Sequence, residues 1–136
     1  MTGLTVAVGT DIGAGDEWLV PRVLNDAYKV HLSEPGPAAV ALHPAELLFL
    51  GTLAGARALD LEARIGNLDI GKDADLLLVD TSAWAPLAGR VALVAEADDE
   101  AVAATHTLFV LVMGLREPAI TSVFVQGREI ASGPVR

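Results

Sequence analysis

The residues with the clearest chemical potential lie in the stretch VAVGTDIGAG, residues 6–15. Here Asp11 follows a short apolar segment and is accompanied by Gly9, Gly13 and Gly15. A carboxylate on a loop at the carboxyl end of a parallel strand occupies the position where α/β barrels carry catalytic groups. Glycines allow the backbone to turn sharply and to approach a ligand closely. Aspartate also caps turns and helices, so this stretch alone leaves a catalytic and a structural role open.

A nucleotide-binding loop is excluded by the spacing of these glycines. They follow the pattern G-x-x-x-G-x-G instead of G-x-G-x-x-G, and no P-loop lysine comes after them.

The chain has no cysteine, which excludes disulfides, thiol nucleophiles and cysteine-ligated zinc and suits a cytoplasmic protein.

Composition narrows the class of protein further. The chain has 136 residues, the length of one ordinary domain, and 52% of them are hydrophobic. Its 18 acidic residues outnumber 9 basic ones, which argues against a nucleic-acid partner. We find no signal peptide and no apolar run of about 18 residues, so we expect no membrane span and a cytoplasmic location.

Periodicity and turn chemistry predict the elements that must position Asp11. An apolar strand over residues 4–8 comes first, then a helix from Pro21 to about residue 32 and a second helix over residues 44–61. Glycine turns at residues 66–67 and 71–72 precede a short strand, Leu76–Val79. A helix over residues 100–113, capped by Asp98 or Asp99 and stopped by Gly114, and a hairpin with residues 126–127 at its tip complete the chain.

This order indicates the end of a parallel α/β unit followed by antiparallel sheet with a helical insertion. A single strand of the buried parallel type makes no sheet alone. We therefore expect further polypeptide before residue 1.

Five segments carry a resemblance to a known family: GTDIGAG, NDAYKV, TLAGARAL, IGNLDIGKDADLLLVD and VFVQGREI, in this order. Together they resemble the amidohydrolase superfamily and, within it, the C-terminal part of the guanine deaminases. The resemblance implies an α/β fold, a (β/α)8 barrel with a small β-sandwich built from both chain ends. Residues 1–62 would be the eighth barrel strand and the helices after it. Residues 63–136 would belong to the sandwich, with a helical insertion at about residues 81–118.

The resemblance also implies zinc-dependent hydrolysis of a small purine. One zinc ion would be held by histidines of earlier strands and by the aspartate of strand eight, which maps onto Asp11. Asp11 would thus be both a metal ligand and a catalytic residue. Zinc lowers the pKa of bound water to about 7, and a carboxylate beside it can carry the proton to the leaving group. Guanine would become xanthine with release of ammonia, in an enzyme expected to be a homodimer when complete.

The other zinc ligands have no counterpart in this chain. A catalytic zinc needs about three protein ligands and a water. The only histidines are His31, His43 and His106, none of them in an H-x-H pair, and we expect all three to be structural or surface residues. The isolated chain should therefore be inactive.

Other charged and aromatic residues are expected to be structural. We expect three charged residues to form turns and both tryptophans to pack against apolar neighbours. The charged residues are Lys72, Asp73 and Asp75, and the tryptophans are Trp18 and Trp84.

Two alternatives stay open at this stage. The first is another amidohydrolase, such as an aminohydrolase of triazines or pyrimidines. The second is a non-enzymatic module that pairs with itself or with a partner, because unpaired sheet edges and a high apolar fraction both favour a covered surface.

Overall fold

The computed structural model describes residues 4–133, which form helices packed on one small antiparallel sheet. The helices are α1 (Val20–Ser33), α2 (Pro44–Leu50), α3 (Leu53–Ala58), α4 (Ala85–Ala95) and α5 (Glu100–Gly114). The strands are β1 (Leu76–Val79), β2 (Ile120–Val125) and β3 (Arg128–Ser132). Short 3-10 turns lie at Gly36–Ala38, Thr81–Ala83 and Glu117–Ala119.

The sheet has the order β1-β2-β3, and both of its pairs are antiparallel. Leu77 of β1 lies opposite Val123 of β2, which lies opposite Ala131 of β3. The strand Leu76–Val79 and the C-terminal hairpin are confirmed as predicted. β1 and β3 each pair on one side only within the described residues.

The predicted strand over residues 4–8 is wrong for this structure. Residues 4–10 lie outside any helix or strand. The side chains of Leu4 and Val6 are 93% and 63% exposed. A strand exists only through its ladder with a neighbour, whereas here Val8 N donates to Leu50 O, at the end of a helix, at 3.0 Å.

The helices agree with the sequence pattern except at two places. α1 is confirmed, as is α5, whose cap is Asp99 accepting from Val102 N at 3.0 Å. The helix predicted over residues 44–61 is interrupted after α2, because Thr52 adopts φ −135° and ψ −94°. A Cβ at Gly51 would lie 3.0 Å from Leu24 and Val20 of α1, so this glycine lets the end of α2 approach α1 closely. α4 lies inside the expected insertion but was not predicted as a helix of its own.

Two apolar clusters hold these elements together. The first joins the segment before α1 to α4, the end of α5 and the start of β2; its buried members are Leu19, Leu87, Leu115, Ala119 and Ile120. The second joins α1, α2 and α5 through Leu24, Leu47 and Val112. Trp84 packs against the first cluster, as predicted for it.

Much apolar surface nevertheless stays exposed. A groove of about 420 Å³ runs between α1, α2, α5 and β1, and a neighbouring one of about 720 Å³ continues along β1. Leu48 and Leu77 line both and are 43% and 45% exposed. None of the helices within residues 4–133 is long and apolar enough to cross a membrane.

The hairpin tip is held by the loop before β1. Gln126 and Gly127 have φ values of 51° and 74°, and Gly127 N donates to Ala74 O at 3.0 Å. The carboxylate of Asp75 accepts from Gln126 N at 2.7 Å. Asp73 pairs with Arg64 at 2.9 Å. The structural role predicted for Asp73 and Asp75 is confirmed.

Replacing Leu47 by alanine should destabilise the fold strongly, because its side chain is fully buried between α1, α2 and α5. We expect a loss of about 2–5 kcal/mol in the free energy of unfolding, measured by urea denaturation. Leu48→Ala, the same change at the next position where the side chain is 43% exposed, is the control and should cost about 1 kcal/mol or less. Equal losses would contradict the assignment of the core.

Replacing Asp75 by alanine should loosen the hairpin tip, because the amide of Gln126 loses its acceptor. We expect a cost of about 1 kcal/mol, seen as a fall of about 4 °C in the melting temperature. Asp75→Asn keeps an acceptor oxygen and should lose less than half as much. An unchanged melting temperature for Asp75→Ala would show that the contact is not stabilising.

Candidate functional site

Asp11 lies in a tight turn that closes on its own backbone. Its φ of 48° places it in the left-handed region. Its carbonyl oxygen accepts from Ala14 N at 3.0 Å and from Gly15 N at 2.6 Å. Ile12 and Gly15 form an isolated bridge across the turn, and Asp11 itself is exposed. The turn therefore presents an accessible carboxylate on a backbone fixed by local hydrogen bonds.

Two of the three glycines around Asp11 are required by this geometry. Gly13 has a φ of 108°, which L side chains rarely adopt. A Cβ at Gly15 would lie 2.5 Å from the carbonyl oxygen of Thr10, well inside van der Waals contact. Gly9 lies in open space, so the structure gives no steric reason for it. The sharp turn predicted from the sequence is confirmed.

The carboxylate of Glu17 organises the segment that follows the turn. Its Oε1 accepts from the backbone N–H groups of Trp18 and Leu19, each at 2.9 Å. Its Oε2 accepts from Arg22 Nη1 at 2.9 Å. Glu17 thus binds two backbone amides just before α1 and the side chain of Arg22 in its first turn.

A second carboxylate connects this segment to the other end of the chain. Trp18 Nε1 donates to Glu117 Oε1 at 2.9 Å, and Arg22 Nη2 lies 3.8 Å from Glu117 Oε2. Trp18 is 72% exposed, so its predicted packing role is wrong. This network was missed by sequence reasoning, because Trp18 and Glu117 are 99 positions apart and no local pattern links them.

Both carboxylates favour their ionised form. The hydrogen bond from Trp18 holds the pKa of Glu117 below its ordinary value, and Arg22 acts in the same direction. The backbone N–H of Leu19, followed by Arg22, lowers the pKa of Glu17. At neutral pH the network therefore consists of two carboxylates sharing one guanidinium.

The histidines do not converge on Asp11. Within residues 4–133 no three His, Cys, Asp or Glu side chains lie close enough together to hold a metal ion. His43 caps α2. Its side-chain Nδ1 accepts from Ala45 N at 3.2 Å, and its backbone N–H donates to Glu46 Oε2 at 2.7 Å. His31 and His106 lie on α1 and α5. Among the residues that the structure describes, the donors thus do not by themselves fit a catalytic zinc ion.

Comparison with known proteins gives consistent matches along this chain. The family model described as "Amidohydrolase family" matches residues 1–130. A probable guanine deaminase from Deinococcus radiodurans is 38% identical over 108 residues, which is 78% of this chain and 24% of that protein. The guanine deaminase of Escherichia coli is 35% identical over 123 residues, 90% of this chain and 26% of that protein. The chain therefore spans about a quarter of the length of these relatives.

A solved structure matches the fold as well. The guanine deaminase of E. coli superposes with a TM-score of 0.79 and 30% identity, over 95% of this chain and 27% of that one. The resemblance drawn from the five sequence segments is confirmed. Since the family model covers nearly all of its residues, the chain belongs to the amidohydrolase family.

Proposed function

We propose that this chain is the C-terminal part of a guanine deaminase-like hydrolase. The complete protein would hydrolyse guanine to xanthine and ammonia. The observation that carries this proposal is the agreement in fold with the E. coli guanine deaminase over 95% of the chain. Two relatives that carry the same activity in their names, at 38% and 35% identity, support it.

In this proposal residues 1–62 are the end of a (β/α)8 barrel and residues 63–136 are part of a β-sandwich, with an insertion at about residues 81–118. Three observations fit a barrel end and a partial sandwich that lack their neighbours. The apolar segment at residues 4–8 joins no strand, and its Leu4 and Val6 side chains are exposed, as expected for a strand separated from its neighbours. The edges of β1 and β3 are free within the described residues. The apolar grooves along α2 and β1 offer a surface that the remaining three quarters of such a protein would cover.

Asp11 is the residue we assign to the reaction, as a catalytic carboxylate and as one ligand of a single zinc ion. Its exposed position and its rigid turn support this role. The other ligands would have to come from polypeptide outside this chain, because the described residues offer no second donor near Asp11 that completes a metal group. The homodimeric state and the cytoplasmic location expected from the sequence remain predictions for the complete protein.

Two other functions compete with this one. An aminohydrolase of triazines or pyrimidines would share Asp11 and the barrel end, but the two relatives described above are named for guanine. A non-enzymatic module would use the same exposed apolar surface for binding alone. The substrate test below separates the three.

The purified 136-residue chain should not convert guanine, because its described residues hold no group of ligands for a catalytic zinc. Protein isolated from its native host with an antibody against residues 65–80 should convert guanine to xanthine, as measured by chromatography and by release of ammonia. Cytosine and a triazine serve as the competing substrates. Preference for either of them would favour the other aminohydrolase, and no turnover of any substrate would favour the binding module. Guanine turnover by the purified short chain itself would contradict its dependence on further polypeptide.

Asp11 can be tested in a chimera in which this chain replaces the matching segment of the E. coli guanine deaminase. Asp11→Asn should lower kcat/KM for guanine at least about 100-fold, more than the loss of a group that merely supports a metal ligand. Zinc content, measured by mass spectrometry, should fall as well. Asp16→Asn, at an exposed aspartate of the same loop, is the matched control and should stay within about twofold. Equal activity of Asp11→Asn and the control would remove Asp11 from the site.

A further inference from the structure

The turn that carries Asp11 contacts the rest of the fold at two places, one before it and one after it. Before it, Val8 N donates to Leu50 O at the end of α2, at 3.0 Å. After it, residues 17–19 attach to the start of α1 and to the Glu117–Ala119 turn. The turn closes by two backbone hydrogen bonds of its own, and these two attachments hold so short a loop in place and against local opening.

Three contacts form the second attachment, and they differ in what they fix. The bonds of Glu17 reach Trp18, Leu19 and Arg22, so they hold the segment to the first turn of α1. Leu19 is buried in the cluster with Ala119 and Ile120, which sets the distance to the sheet, but apolar contact has no direction. The hydrogen bond from Trp18 to Glu117, at 2.9 Å, is the directional contact between this segment and the turn before β2.

The geometry points to Trp18 and Glu117 as positioning residues for Asp11. This inference rests on the proposed function only for the role given to Asp11. Trp18 keeps 72% of its surface exposed, so burial does not explain its position, whereas its indole N–H is bound to a carboxylate. Bonds to ionised acceptors are short and about twice as strong as neutral ones. Arg22 lies 3.8 Å from the second oxygen of Glu117 and 2.9 Å from Glu17, and so keeps Glu117 directed at the segment after the turn.

The test compares the full 136-residue chain with four variants by NMR at neutral pH. Trp18→Phe keeps an aromatic ring and removes the donor. Glu117→Ala removes the acceptor, and Glu117→Gln keeps an acceptor oxygen at the same place. Glu129→Ala, the same truncation at an exposed glutamate of β3, is the control. Amide exchange of Ala14 and Gly15 reports on the turn, exchange of α5 reports on the whole fold, and the indole N–H resonance of Trp18 reports on the contact itself.

We expect Trp18→Phe and Glu117→Ala to accelerate amide exchange of Ala14 and Gly15 about tenfold and to leave exchange in α5 unchanged. Loss of one charged hydrogen bond would favour local opening of the turn by about this factor. Glu117→Gln should restore most of the protection and keep the indole resonance shifted downfield, which a role of Glu117 in bulk packing would not produce. Glu129→Ala should match the parent chain.

Unchanged exchange in Trp18→Phe, or equal acceleration in the turn and in α5, would overturn the inference. The first result would mean that the contact does not hold the turn, and the second that it is a general stabiliser. Neither result bears on guanine turnover. Loss of the proposed activity would in turn leave the exchange data unaffected, so the two proposals fail separately.

Discussion

The last turn of α5 is the point on which the rest of this structure depends. Val112 belongs to the apolar cluster with Leu24 and Leu47, and Leu115, directly after the helix, belongs to the cluster with Leu19 and Leu87. Both side chains are less than one tenth exposed. Because residues 112–115 contribute to both clusters, the end of α5 fixes α1 and α2 on one side and α4 and the sheet on the other.

Polar contacts at the same place turn this packing into a defined geometry. Asn25 of α1 donates its side-chain N–H to Met113 O at 3.1 Å, which satisfies a carbonyl at the end of α5. Two residues beyond Leu115 the chain reaches Glu117, and Ala119 and Ile120 return to the first cluster. The carboxylate that binds Trp18 is therefore placed by the same packing that buries Leu19, so the apolar core and the polar network support one arrangement.

The parts of the fold predicted correctly from the sequence are those decided by local chemistry. The hairpin follows from the alternating residues 120–130 with Gly127, which adopts positive φ without strain, at their tip, and α5 begins at a side-chain cap on Asp99. The interruption after α2 was not predictable, because the apolar spacing of a helix continues through residues 44–61 without a break at Thr52. The strand expected at residues 4–8 failed for a related reason, since its apolar pattern describes a burial that needs neighbouring strands.

The candidate site shows the same difference between local and long-range contacts. The turn around Asp11 was predicted from its glycines, because its backbone hydrogen bonds join Asp11 to Ala14 and Gly15. The role of Asp11 in a reaction came from the family resemblance and stays a prediction. The Trp18–Glu117 bond joins the two ends of the described chain and could be seen only in three dimensions. A carboxylate acts on a metal or a proton only at a defined position. The local turn sets the backbone conformation of Asp11, and in our inference the distant contact holds the turn in place. In the proposed function, completing the reaction centre would require donors from polypeptide outside this chain.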